Sequence, residues 1–261
     1  MNMINALWSV SPNKGKGSRI ALLDTGVDLV HPDFRDADIL SADMVSPGRK
    51  GDDIDGHGTS CASIILSIAP NCTLLSGRIM DRSGSFTYDC LISGLYWAGT
   101  HKADVICICS GSREPDIFVE NKISELAASG SITLAAVGNH GKQGPGAGFF
   151  PARSLRSFAI GTANNEGGIS FFTNLPGDKP VYCFPGEEFN ATSLGASPRL
   201  MTGTSASAAA LAGVLGLVAS EHDRVAGMNW EDVMIGGSSE CKSPRGDYML
   251  VDPLKLFSRV A

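Results

Sequence analysis

The stretch Ile20-Ala21-Leu22-Leu23-Asp24-Thr25-Gly26 joins an apolar run to a polar turn. A run of consecutive apolar residues, without the alternation of a half-exposed strand, is typical of a strand buried on both faces. Three further runs share this character, at residues 73–75, 105–108 and 132–136. Helical patterns separate them, at residues 58–68, 87–99 and 117–129. This alternation predicts an α/β fold in three layers, with a mostly parallel central sheet and helices on both faces.

The second half of the chain has shorter candidate elements. Residues 141–151 are rich in Gly, Pro and Phe and are expected to form a loop. Short strands are expected at residues 157–161, 169–172 and 181–184. A long helix of small residues is expected from Thr204, and a last helix near Trp230. No internal repeat or low-complexity tract interrupts the pattern, so we expect one domain over residues 1–261.

The composition excludes several classes of protein. A formal net charge of −6 argues against a nucleic-acid-binding protein, which normally carries an excess of Lys and Arg. The longest apolar stretch, residues 206–219, is too short to cross a bilayer, so no membrane association is expected. Residues 1–10 lack the features of a secretion signal, and the seven cysteines cannot all pair with one another. We therefore expect reduced thiols and a cytoplasmic location; a secreted form whose leader has been removed is the alternative.

Three short motifs carry the candidate chemistry. Asp24-Thr25-Gly26 follows the first strand, His57-Gly58-Thr59 begins a helix, and Gly203-Thr204-Ser205-Ala206 begins the long apolar helix. Each motif alone fits a turn, a helix start or a helix cap. Together, in the order Asp, His, Ser, they match the order of the catalytic residues in subtilisin. The chain thus resembles the subtilisin-like (subtilase) serine protease family over nearly its whole length, and the resemblance implies the subtilisin-like fold.

The resemblance implies a role for each of these residues. An alcohol is a poor nucleophile at neutral pH, so Ser205 would attack the peptide carbonyl while His57 takes its proton, and Asp24 would orient the imidazole. The backbone N–H of Ser205, at a helix start, would help to bind the oxyanion. Asn139, after the fourth predicted strand, would donate its side-chain amide to the same oxygen. The other interpretation of Asn139 is a residue in a left-handed turn beside Gly138.

The resemblance also places a groove that binds an extended peptide between two strand edges. The matching segments are Cys109-Ser110-Gly111 and Ala136-Val137-Gly138. Phe149 and Phe150 lie where the family forms the floor of the S1 pocket, and a phenylalanine there would favour small P1 residues; plain loop packing is the alternative. Cys107 and Cys109 share one face of a strand, but without a second pair they predict no metal site, and Cys109 is interpreted as a small buried residue.

No cofactor is expected for catalysis, and structural calcium is left open. Many secreted subtilases insert a calcium-binding loop after the helix of the catalytic histidine. Here that helix continues through residues 64–68 to Ala69-Pro70, so the usual calcium site is predicted to be absent. The acidic run Asp52-Asp53-Ile54-Asp55 has three interpretations: a solvated loop, an attractant for basic substrate residues, or part of a calcium site.

The sequence therefore predicts a serine endopeptidase whose partner is a peptide or protein substrate. The chain begins near the mature start of the family, so no propeptide is expected, and narrow specificity would then restrain the enzyme; trimming a leader from a precursor peptide is one such task. A catalytically silent peptide-binding scaffold is the alternative from another class. An aspartic protease built on Asp24-Thr25-Gly26 would need a dimer, because the chain has one such motif. The oligomeric state is left open.

Overall fold

A computed structural model describes residues 3–221 and 228–259 of the chain. Its strands are β1 (Arg19–Asp24), β2 (Asp38–Asp43), β3 (Thr73–Arg78), β4 (Val105–Ile108), β5 (Ile132–Ala136), β6 (Ser157–Ala163), β7 (Val181–Pro185), β8 (Phe189–Ser193), β9 (Ser197–Met201), β10 (Ser238–Cys241) and β11 (Tyr248–Val251). Nine of them form a sheet in the order β10-β11-β7-β6-β5-β4-β1-β3-β2. Every neighbouring pair in it is parallel except β10 with β11, while β8 and β9 form a separate antiparallel hairpin. The predicted mostly parallel sheet is confirmed.

The helices cover both faces of this sheet. They are α1 (Met3–Val10), α2 (His57–Ile68), α3 (Tyr88–Thr100), α4 (Ile117–Ala128), α5 (Thr204–Ser220) and α6 (Trp230–Gly236). One apolar core joins the sheet to α1, α2, α5 and α6, and a second core joins it to α3 and α4. Along β1, Ile20 and Leu22 belong to the first core and Ala21 and Leu23 to the second. Because each face has its own helical layer, a sheet strand needs apolar residues at every position, and the predicted three-layer α/β fold is confirmed.

Helix α5 is the most deeply buried element. Every residue from Thr204 to Ala219 is buried, so no face of this helix is exposed to solvent over these residues. Its small residues let it approach α2 closely: a Cβ added to Gly213 would lie 2.9 Å from the Cβ of Ile68. Burial on all sides holds the helix in place, and the first turn, which contains Ser205, is therefore carried by a rigid support.

The structure corrects one predicted strand. Residues 169–172 do not form a strand: Ile169 makes a single antiparallel bridge with β6, and the chain then turns. A hydrogen bond of 3.0 Å from the backbone N–H of Thr173 to the carbonyl oxygen of Ser170 closes that turn. Phe171 consequently faces solvent with 81% of its surface exposed. The apolar residues that suggested a buried strand lie on a turn instead.

The other predicted elements are present, and their ends differ from the prediction by at most three residues. The sequence pattern missed α1, β2, the β8–β9 hairpin and the β10–β11 pair. These elements lie at the margins of the fold, and strands such as β2 keep partly exposed polar residues that weaken the apolar signal. Within the described ranges, none of the helices is long and apolar enough to span a bilayer. One domain over residues 1–261 stays a prediction.

Candidate active site

The four predicted catalytic residues lie at the carboxyl edge of the sheet. Asp24 ends β1, His57 begins α2, Ser205 is in the first turn of α5, and Asn139 follows β5. The Asp24 Oδ1 and His57 Nδ1 atoms are 2.8 Å apart. Asp24 is buried, with 1% of its surface exposed. This is the edge at which parallel α/β sheets form their ligand sites.

A second carboxylate, Asp53, fixes the corner between β1 and α2. It accepts hydrogen bonds from the hydroxyls of Thr25 at 2.8 Å and Thr59 at 2.6 Å, and from the backbone N–H of Gly56 at 2.9 Å. Burial raises the pKa of Asp53, but hydrogen bonds from Gly56, Thr59 and Asp55 outweigh it and leave the pKa below its usual value. A Cβ on Gly58, the second residue of α2, would lie 2.1 Å from the backbone oxygen of Gly26, so only glycine fits at this position. The corner therefore sets the position of His57.

The environment of His57 favours its protonated form. The negative charge of Asp24 raises the pKa of His57 to about 9, against burial, and the hydrogen bond between the two side chains adds to the shift. Arg199 opposes it with its positive charge. An imidazolium at this position is thus stabilised by its carboxylate partner, which is the property that a general base needs after it has accepted a proton.

The hydroxyl of Ser205 points to the end of β4. Its Oγ donates to the carbonyl oxygen of Cys109 at 3.4 Å, and the Cys109 thiol lies 3.7 Å from the carbonyl oxygen of Ser205. In the part of the chain that the structure describes, no hydrogen bond joins Ser205 to His57. The hydroxyl must therefore rotate before it can give its proton to the imidazole.

Asn139 is held by its amide oxygen. The backbone N–H and the hydroxyl of Thr204 both donate to Asn139 Oδ1, each at 2.9 Å. Among the described residues, the Nδ2 of Asn139 has no hydrogen-bond acceptor, and the side chain is exposed. The left-handed residue of this turn is Gly138, with φ of 103°, whereas Asn139 is not among the described residues with positive φ. The geometry leaves the amide N–H groups of Asn139 available beside the start of α5.

The two predicted walls of the groove extend from neighbouring strands. Cys109-Ser110-Gly111 continues β4, and Ala136-Val137-Gly138 ends and continues β5, its parallel neighbour. Phe149 lies between them: a Cβ added to Gly111 or to Gly138 would come within 2.6 Å of its side chain. Phe150 pairs with Ser112 and is buried in the core. The structure thus separates the two phenylalanines, because Phe149 contacts Gly111 and Gly138 whereas Phe150 packs in the core.

A cluster of thiols lies directly below Asp24 and His57. Cys109 Sγ is 3.6 Å from Cys107 Sγ and 3.8 Å from Cys61 Sγ, and Cys61 Sγ is 3.9 Å from His57 Nδ1. The sequence analysis missed Cys61. The available signal was its spacing, since residues four positions apart on a helix share one face, and His57 begins the helix that contains Cys61.

The acidic run before His57 divides into two environments. Asp52 and Asp55 are exposed, as a solvated loop requires, whereas Asp53 is buried in the corner already described. The connection from α2 to β3 spans residues 69–72 and contains no carboxylate. Calcium dependence therefore stays open, and the absence of the usual loop site stays a prediction.

The family assignment rests on the match to a sequence model. Residues 15–236 match the model of the Subtilase family, Peptidase_S8. The chain belongs to the subtilase family. It is therefore a serine-type peptidase, and the resemblance predicted from the three motifs is confirmed. The catalytic roles of individual residues stay predictions.

The relatives of this chain include proteins named as serine proteases. Thermitase of Thermoactinomyces vulgaris is 28% identical over 224 residues, which are 82% of this chain and 78% of thermitase. A thermophilic serine proteinase of Bacillus sp. (strain AK1) is 30% identical over 224 residues, and the match covers 82% of this chain but 55% of that protein. The rest of that longer protein lies outside the matched residues.

Two solved structures share the fold. The protease domain of PatA, solved as a mutant, superposes with a TM-score of 0.80 at 24% identity and covers 93% of this chain and 94% of that domain. The prenylagaramide maturation protease PagA superposes with a TM-score of 0.83 at 22% identity and covers 100% of this chain and 99% of PagA. The TM-scores and the coverage establish a common architecture.

Proposed function

We propose that the chain is a serine endopeptidase that cleaves peptide bonds through an acyl-enzyme on Ser205. The observation that carries this proposal is the bond of 2.8 Å between Asp24 and His57 at the same sheet edge as the start of α5. When the Ser205 hydroxyl turns to His57, the imidazole takes its proton as the oxygen attacks the substrate carbonyl. His57 then gives the proton to the leaving amine, and water releases the acyl group.

The charge of the tetrahedral intermediate needs donors near Ser205. The backbone N–H of Ser205 lies in the first turn of α5, where N–H groups have no partner within the helix. The Oδ1 of Asn139 accepts hydrogen bonds from the backbone N–H and the hydroxyl of Thr204, and this orientation leaves its Nδ2 able to donate to the oxyanion. Two donors at the position where charge develops are the usual arrangement for acyl transfer.

Labelling with a fluorophosphonate probe tests the proposed nucleophile. The probe reacts with an activated serine, so we expect one covalent adduct on wild-type protein and none on Ser205→Ala. Ser207→Ala is a matched control, because Ser207 lies on the same buried helix two residues further along and should leave the adduct unchanged. An adduct that persists in Ser205→Ala would disprove the assignment.

One observation favours a peptide-binding scaffold instead. The Ser205 hydroxyl donates its hydrogen bond to the carbonyl oxygen of Cys109 and not to His57, so in this geometry His57 does not activate it. The same labelling experiment separates the two functions. Folded wild-type protein that binds peptides but takes no label would support the scaffold.

We further propose a narrow task, the processing of a precursor or leader peptide with a small residue at P1. Phe149 supports this because it occupies the space between the groove walls at Gly111 and Gly138, where a large P1 side chain would have to enter. PagA, which has the same fold, is a prenylagaramide maturation protease. The seven free thiols support work in a reducing compartment such as the cytoplasm, which cell fractionation would test.

A peptide library tests the proposed specificity. We expect wild type to prefer Gly or Ala at P1 and to leave casein nearly intact. Phe149→Ala should raise kcat/KM for Leu or Phe at P1 by about tenfold or more relative to Ala, the scale on which pocket size discriminates. Phe118→Ala, on exposed α4 surface, is the control and should leave the preference unchanged. An unchanged P1 preference in Phe149→Ala would contradict the role of Phe149.

A further inference from the structure

The thiols below the catalytic residues form a chelating group with Asp24. One carboxylate oxygen of Asp24 and the sulfurs of Cys61 and Cys109 all lie within 4.8 Å of one another. The three side chains are buried, with 1%, 0% and 9% of their surface exposed. They come from three different elements, so their meeting depends on the fold and not on local sequence.

Asp24 supplies the observation that points to a ligand. Its Oδ1 accepts hydrogen bonds from His57 and from the Thr25 backbone, at 2.8 and 2.7 Å. Its Oδ2 is buried and has no hydrogen-bond partner among the described residues. A buried, unpartnered carboxylate oxygen carries a desolvation cost that a bound cation would relieve.

The distance between the two sulfurs fits a tetrahedral metal ion. Zinc binds thiolates at about 2.3 Å, and two sulfurs on a tetrahedral zinc are therefore about 3.8 Å apart. Cys61 Sγ and Cys109 Sγ are separated by 3.8 Å. Two thiolates and one carboxylate suit zinc or another thiophilic ion, whereas calcium and magnesium prefer oxygen ligands alone.

We propose that Asp24, Cys61 and Cys109 form a binding site for a thiophilic divalent cation, such as Zn²⁺, that reversibly inhibits the peptidase. The ion would hold Asp24 and neutralise the charge that stabilises the His57 imidazolium. Since the peptide groove is not occupied by the ion, kcat falls while KM stays nearly constant. Cys109 is the most exposed of the three residues, and the ion would approach from its side.

Burial of the two thiols does not prevent them from acting as metal ligands. Zinc deprotonates a coordinating thiol outright, so that both sulfurs can serve as thiolate ligands.

Direct metal binding is the first test, and it needs no enzymatic activity. Ser205→Ala protein is titrated with Co²⁺ under reducing, oxygen-free conditions, and the thiolate-to-cobalt charge-transfer absorption is recorded. We expect one equivalent to produce the band and Zn²⁺ to abolish it by displacement. The band should be absent in the double variants that combine Ser205→Ala with Cys61→Ala or with Cys61→Val. The Val variant fills the space left by the thiol if Ala destabilises the core. No band in Ser205→Ala, or an unchanged band without Cys61, overturns the proposal even if the enzyme proves inactive.

Inhibition at buffered free Zn²⁺ is the second test. We expect kcat of wild type to fall with zinc and to recover with EDTA. In Cys61→Ala, the zinc concentration for half inhibition should rise by at least about tenfold, the scale on which metal sites lose affinity when a supporting group is removed. Cys72→Ala, a buried cysteine at the opposite end of the sheet, is the matched control.

Two results would overturn the inhibitory role. If zinc inhibits Cys61→Ala and wild type equally, the ion acts elsewhere, for example on His57 alone. If activity returns with a thiol reductant but not with EDTA, the inhibited state is an oxidised thiol and not a metal complex.

Discussion

The two sides of the candidate active site are held together in different ways. On the α2 side, Asp24, Asp53 and His57 take part in hydrogen bonds of 2.6 to 3.0 Å. On the α5 side, Ser205 contacts Cys109 at 3.4 and 3.7 Å. The comparison indicates that the proposed base and its carboxylate are positioned before substrate arrives, whereas the proposed nucleophile completes its alignment later. Catalytic hydrogen bonds are often long in ligand-free enzymes and shorten when substrate binds.

The largest expected effect tests whether the two sides act as one unit. Ser205→Ala and His57→Ala should each lower kcat by about 10⁶, the scale known for subtilisin. The double variant should lose little more than either single variant, because neither residue works without the other. Steady-state kinetics with a cleavable peptide checks this. Additive losses would show that the two sides contribute independently.

Asn139 belongs to the α5 side and gives the next largest effect. Asn139→Ala should lower kcat by about 10² to 10³ with little change in KM, since the donor acts on charge that develops during the reaction; subtilisin provides this scale as well. Asn139→Asp is the informative companion, because a carboxylate would repel the oxyanion and should be at least as inactive. A normal kcat in Asn139→Ala would remove this residue from the mechanism.

The pH dependence tests the α2 side. The folded-state pKa of His57 is raised to about 9, so the imidazole is protonated at neutral pH and becomes a competent base as pH rises. We expect kcat/KM to increase about 50-fold from pH 7 to pH 9, following the neutral fraction. Asp24→Asn removes the main cause of the shift and should move this limb to lower pH, at a much lower rate. A wild-type profile that is flat above pH 7 would contradict the raised pKa.

Sequence reasoning located the chemistry better than the support around it. Asp24, His57 and Ser205 are found by order and context, and the central strands by their apolar runs. Cys61 and Asp53 were not found, because their roles depend on which side chains meet across α2, β1 and β4. Residues 169–172 were assigned to a strand because an apolar pattern does not reveal the turn that the Thr173 N–H closes on the Ser170 carbonyl. The orientation of Ser205 toward Cys109 is likewise a property of packed elements that the pattern does not contain.

Substitution of Asp53 is expected to change stability more than catalysis, and it tests what makes the α2 side rigid. Asp53→Asn keeps the shape but removes the charge that accepts the N–H and O–H donors of Thr25, Gly56 and Thr59. We expect the free energy of unfolding to fall by about 3 kcal/mol, because several charge-assisted hydrogen bonds weaken together. Asp52→Asn, an exposed neighbour, is the control and should change it by less than about 0.5 kcal/mol.

The pH dependence of stability separates this support from general loss of packing. Because the pKa of Asp53 is lowered in the folded state, its contribution is fully present above the unfolded-state value near 3.8 and is lost as pH falls through the lower folded-state pKa. Denaturant unfolding at pH 7 and below pH 4 should therefore show wild type losing stability on acidification and Asp53→Asn losing less. If the two proteins lose equal stability, Asp53 is not the charge that holds the corner, and the contrast between the two sides of the site must come from Asp24 alone.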